Sequence, residues 1–133
     1  ILNQEDPWAI KRQYLWHIRH PLDIQIMNQC CGFIQGVFDF KSFENMGSPR
    51  SSSIREVFFA KIKPLDKNRI VFKICANGFL RYMVRNIIGT IVLAGANKIT
   101  PNGFLKILEK KNRGKAGPTA PPHGLFLKKV NYS

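Results

Sequence analysis

The run from Phe79 to Ala94 is the most apolar stretch of the chain, and it carries a guanidinium in its middle, at Arg85. The run reads as a helix. At about 100° per residue, Arg85 projects beside Ile88 and Val92, near one edge of the apolar surface. A helix that is hydrophobic nearly all round belongs in a core, and a charge there is costly unless it is paired and hydrogen-bonded. The run contains neither Asp nor Glu, so the segment cannot neutralise its own cation. The expectation is a partner from elsewhere, supplied by a part of the protein that this chain lacks. Arg81 lies four residues earlier, on a neighbouring part of the same face. Two readings compete for the pair. One sends both side chains into solvent along their aliphatic stems, and it suits Arg81 better than the deeper Arg85. The other makes an arginine that holds a catalytic carboxylate ionised or grips a phosphate, with a fork geometry that lysine cannot match.

A chain of 133 residues, 44% of them hydrophobic, can bury a core and suits one domain, residues 1–133. Its 21 Lys and Arg against 8 Asp and Glu give a formal charge of +13. That excess favours a polyanionic partner, either nucleic acid or an acidic membrane face. The basic residues are interleaved with Phe, Tyr and Trp, which argues against a disordered basic tail. The longest uncharged apolar run, from Asn86, is far short of the roughly 20 residues a bilayer demands. Ile1 to Pro7 is polar, with Glu5 and Asp6, unlike a secretory signal. Cys30, Cys31 and Cys75 make no disulfide framework, so a cytoplasmic or other reducing setting is expected. Because the sequence opens on Ile1 rather than Met, a missing N-terminal portion is also expected.

Along the chain, Lys11 to Arg19 reads as a half-buried strand, with Tyr14, Trp16 and Ile18 set against Arg12, Leu15 and His17. Pro21 is placed to open a helix with Leu22, Ile26, Cys30, Phe33 and Ile34 on its apolar face, and Gly36 to cap its end. A Gly/Ser/Pro/Arg loop covers Met46 to Ser53. Ile54 to Ile62 and Arg69 to Ala76 read as a hairpin turning around Pro64 to Asn68. After the apolar helix, which stops near Gly95, Thr100 and Pro101 start a shorter amphipathic helix through Lys110. Asn112 to His123 is a loop, and Gly124 to Tyr132 a last strand. The order β-α-β-β-α-α-β predicts an α+β fold, with helices packed against a mostly antiparallel sheet.

The remaining motifs carry less. Arg113 to Leu125 is rich in Gly and Pro with basic residues at its start, but it lacks P-loop spacing. It is a plain connector, or a functional loop delivering an apolar residue to the mouth of a cleft. His17 and His20 with Cys30 and Cys31 fit no ordinary zinc spacing, so no metal site is expected. His123 takes a solvent-facing role by default, and Cys75 is better suited to burial than to nucleophilic attack. Asp39, between Phe38 and Phe40, is read as structural, placed to bind a buried arginine.

Taken together, these segments resemble a known family. Asn77-Gly78-Phe79-Leu80-Arg81-Tyr82-Met83-Val84-Arg85-Asn86-Ile87-Ile88-Gly89 is similar to the central signature of the tRNA pseudouridine synthase A family. So are Ala116-Gly117-Pro118-Thr119-Ala120-Pro121, the following Gly124-Leu125-Phe126-Leu127, and the terminal Val130-Asn131-Tyr132. Upstream, the helix at Pro21-Leu22-Asp23 and the stretch Gly36 to Phe43 match in order, with an Asp-Phe-x-x-Phe element at Asp39 to Phe43. The blocks cover nearly the whole chain. Phe38 stands where many relatives have His, and Asn112 where Asp often precedes Arg113.

The resemblance implies isomerisation of uridine to pseudouridine in tRNA, characteristically in the anticodon stem-loop. It also implies a homodimer with a basic tRNA cleft, no metal and no organic cofactor. In that family the nucleophilic aspartate lies in an Arg-Thr-Asp-Ala-Gly-Val-His-like motif in the first half of the protein. Neither that motif nor the active-site tyrosine of the same half occurs here, so the chain resembles the C-terminal half, inactive by itself. By position, Arg85 corresponds to the arginine that pairs with the nucleophilic aspartate, and Leu125 to the apolar residue that packs on the target base. Lys73, Arg81, Arg113 and Lys115 are the candidate RNA-backbone cations, followed by Arg50 and Arg55. The alternative is a non-catalytic basic RNA-binding module derived from the family. A third idea, a peripheral membrane protein, rests on charge alone.

Overall fold

The computed structural model describes residues 9–18, 20–44, 52–80, 82–110 and the backbone of 125–130. Five strands form one sheet in the order β2-β3-β4-β1-β5, with every adjacent pair antiparallel. β1 is Ile10–His17, β2 Gly36–Asp39, β3 Ile54–Asp66, β4 Arg69–Ala76 and β5 Leu125–Val130. Three helices, α1 (Ile24–Phe33), α2 (Met83–Gly95) and α3 (Pro101–Lys110), complete the α+β architecture.

Alternation decides which face of the sheet is covered. In β4, Ile70, Phe72, Ile74 and Ala76 share one face and are fully buried in the core with Met83, Ile87 and Ile91 of α2. Tyr14 and Trp16 stand opposite Phe72 and Ile70 in the ladder, and Ala60 and Ile62 opposite Ile74 and Phe72. Arg12 stands opposite Ile74. It therefore shares the face of Tyr14 and Trp16, not that of Leu15 and His17 as the sequence reading had it. The period of two between positions 12, 14 and 16 settles the point.

Several element boundaries differ from expectation for local reasons. α1 starts at Ile24 rather than Pro21, because the Asp23 carboxylate accepts a hydrogen bond from the Ile26 amide at 3.1 Å and so caps the helix. It ends at Phe33. Gly36 does not cap it; with φ of +127°, a conformation that favours glycine, it opens the short strand β2. β3 runs through Pro64 to Asp66, leaving only Lys67 and Asn68 as the turn. Beyond the reach of β2, the edge of β3 is closed by a side chain. Asn28 of α1 donates to the Ile62 carbonyl at 2.9 Å and accepts from its amide at 2.8 Å.

α2 begins at Met83, so Phe79 and Leu80 precede the helix. Tyr82 sits at φ 63°, a left-handed conformation that interrupts helical continuity just before the first turn. At the other end Asn97 is also left-handed, and the amides of Asn97 and Lys98 bond back to the carbonyls of Ala94 and Leu93. That closing pattern satisfies the last carbonyls of the helix. Gly95 allows close approach to α1. A Cβ there would lie 2.6 Å from Met27 Cγ and Sδ. For α3, the expected cap holds, with Thr100 Oγ1 accepting from the Gly103 amide at 2.9 Å.

Candidate functional site

Arg85 sits in the first turns of α2, half-buried, while its neighbours Val84, Asn86 and Ile88 are buried. Its guanidinium lies over the Tyr82 ring, 4.5 Å from the centroid. The left-handed turn at Tyr82 thus places an aromatic face beneath the charge. Across from it lies Tyr14 of β1, only 1% exposed, whose ionisation feels the Arg85 charge. Burial pushes the Tyr14 phenol from its ordinary 10.0 up to about 12, against an opposing pull from Arg85. The phenol is therefore neutral and able to donate throughout the neutral range.

The register of β1 with β5 sets Leu125 opposite Tyr14, and Leu127 opposite Arg12. Arg85 and Leu125, forty residues apart in sequence, are thereby brought to the same neighbour. Tyr14 is the residue that joins them, and the sequence reading saw in it only a strand position. Its signal was present: a tyrosine in an apolar alternation has a hydroxyl that must find a partner when buried.

The other candidates divide. Lys73 is half-buried and faces away from Phe72 and Ile74, with Lys61 and Gln13 as its cross-strand neighbours. It lies on the face opposite α2 and is not gathered with Arg85. Arg81, Arg113, Lys115, Arg50 and His123 lie outside the described residues, as does the stretch Asn112 to His123 that the sequence reads as a loop. Asp39 accepts hydrogen bonds from Ser53 Oγ and from the Lys41 amide, the latter at 3.1 Å. Among the described residues it ties two loop ends together, and no arginine is bonded to it.

Arg12 is the basic residue that the sequence reading did not single out. Its guanidinium carbon lies 5.4 Å from the centroid of the Phe79 ring, and its Nε is buried with no hydrogen-bond partner among the described residues. Together with Ile10, Ile54, Arg55, Asn77, Gly78 and Phe79 it lines a groove of about 490 Å³. Among the described residues no group of three His, Cys, Asp or Glu is placed to hold a metal ion, and no helix is long and apolar enough to cross a membrane. Cys30, Cys31 and Cys75 are buried and form no disulfide.

An antiparallel sheet backed by helices, with an arginine of α2 acting on a buried tyrosine of β1, defines an α+β domain of the kind expected from the sequence. A profile of the family described as tRNA pseudouridine synthase matches residues 34–133, and the chain belongs to that family. A tRNA pseudouridine synthase A from Thermosipho africanus is 39% identical over 130 residues, 98% of this chain and 52% of its own length. The proteins of the same name from Thermoanaerobacter pseudethanolicus and Clostridium acetobutylicum are 42% and 41% identical over 132 residues, 99% of this chain and 54% of theirs. The chain spans about half the length of the curated relatives it matches.

Proposed function

We propose that this chain is the C-terminal half of a tRNA pseudouridine synthase that isomerises uridine to pseudouridine in the anticodon stem-loop. The observation that carries the reading is the half-buried Arg85, resting on Tyr82 and facing Tyr14 at the strand that also receives Leu125. To change its glycosidic bond, the uridine must leave the stack, at a cost of a few kcal/mol. The reaction then calls for an ionised carboxylate, apolar packing on the flipped base and cations along the RNA backbone. Arg85 favours the charged form of a carboxylate from the other half of the protein. Leu125 provides the apolar wall, and Tyr14 holds the floor between them. The scheme calls for no cofactor. The full-length protein acts in the cytoplasm as a homodimer, with Lys73, Arg81, Arg113 and Lys115 on the RNA backbone.

The test is uridine isomerisation on tRNA by the full-length protein carrying Arg85→Ala. Loss of one preorganised charge in an active site is expected to lower kcat by roughly 100-fold or more, with the melting temperature held close to that of the parent. Near-normal turnover would remove Arg85 from the mechanism.

A further inference from the structure

The groove beside this site has no assigned role, and its walls point to one ligand chemistry. Arg12 and Arg55 both line it, and among the described residues no acidic one does. Arg55 is held in place by two backbone carbonyls. Its Nη1 donates to Ile54 at 2.7 Å and to Ser52 at 3.2 Å, which leaves the opposite edge of the guanidinium for another acceptor. Arg12 lies against the Phe79 ring and has a buried Nε to satisfy. Gly78 borders Arg55 without a side chain; a Cβ there would come 3.5 Å from Arg55 Nε. Two guanidiniums and an aromatic ring lining one groove suit a phosphate with a base beside it better than they suit a free metal ion or an apolar side chain.

Position adds to the argument. Arg12 is two residues from Tyr14 on the same face of β1, about 7 Å along the strand. The groove therefore begins next to the Arg85–Tyr14–Leu125 junction. We infer that the groove formed by Arg12, Arg55 and Phe79 binds a backbone phosphate of the RNA strand flanking the target nucleotide. The inference rests on the tRNA reading above and names a contact within it.

The experiment uses full-length protein and unmodified tRNA transcript. Dissociation constants are measured across a potassium chloride series for the parent, Arg12→Gln, Arg55→Gln, the double variant and Gly78→Ala. Pseudouridine formation and the melting temperature are followed in parallel. If the groove holds a phosphate, the plot of log affinity against log salt becomes shallower by about 1 in the double variant. Gly78→Ala, whose added methyl sits at ordinary contact distance, weakens binding without lowering the melting temperature. An unchanged slope and affinity in an active parent enzyme overturns the proposal. So does a lowered melting temperature with an unchanged slope, which would mean that the arginines serve a carboxylate of the protein itself. A parent that binds tRNA with the arginine-dependent slope yet forms no pseudouridine retires the enzymatic reading and leaves the phosphate site standing.

Discussion

α2 and α3 follow one another in sequence, yet they are built for different work. In α2, ten of thirteen residues are buried, so the helix is surrounded by protein on nearly every side. In α3, only Phe104 and Leu108 of ten are buried, and the helix is a surface clamp. Polar groups follow the same division. Asn86 of α2 donates through Nδ2 to the Phe43 carbonyl at 2.7 Å, and Thr90 donates to the Asn86 carbonyl at 2.8 Å. These buried groups have no water to turn to and are bonded internally. α3 instead receives a hydroxyl from outside, as Ser42 donates to the Ile107 carbonyl at 2.7 Å, and Phe104 stacks on Phe43 with ring centroids 5.8 Å apart. The lesson is that a half-buried charge in α2 stands out in a way that Lys106 or Glu109 in α3 cannot. Solvent explains the second kind, and only a site or a partner explains the first.

Three substitutions sharpen or break this comparison. Ile87→Ala opens a cavity in the fully buried helix and should cost about 2–5 kcal/mol in a denaturant titration. Leu105→Ala, at a half-buried position of α3, should cost well under that, and equal losses would mean that the two helices carry the core alike. Thr100→Ala removes the α3 cap and should cost about 1 kcal/mol, read as a small shift of the unfolding midpoint at unchanged slope.

A pH dependence concerns the tyrosine that faces α2. Tyr14 resists ionisation up to about 12 when folded, whereas an unfolded phenol ionises near its ordinary 10.0. The unfolded chain therefore binds fewer protons in that interval, and stability falls as pH rises from 10 towards 12. Cys30, raised by burial from 9.0 to about 11, adds a similar loss over its own interval. Tyr14→Phe removes only the phenol contribution. Its unfolding midpoint should fall less than that of the parent between pH 9 and pH 11.5, and parallel curves would show that the phenol plays no part.

Much of this was legible in the sequence because it is local. The apolar period of α2, the Thr100 cap and the β3–β4 hairpin depend on residues close together, and pattern finds each, although α2 starts later and β3 runs further than expected. Three features were not legible. Tyr82 adopts a left-handed conformation that helical periodicity cannot reveal, so Phe79 and Leu80 looked helical when they lead into the helix. β2 is four residues long, too short for alternation to declare itself, and it starts at a glycine that also looked like a helix cap. The meeting of Arg85, Tyr14 and Leu125 depends on the register of β5 against β1, a long-range choice that no local pattern encodes. Arg12 shares the face of Tyr14 rather than that of Leu15 because a strand alternates with a period of two, and that placement turns it towards the groove.

The place of β1 has a consequence for how the protein comes into being. The first of the five described strands lies between β4, completed at Ala76, and β5, which starts only at Leu125. While a ribosome is still making the tract between them, one side of that strand stays open to any other extended chain nearby. Loss of β5 would thus leave a nearly complete sheet with a sticky seam along β1, and Leu125–Val130 act as its closure.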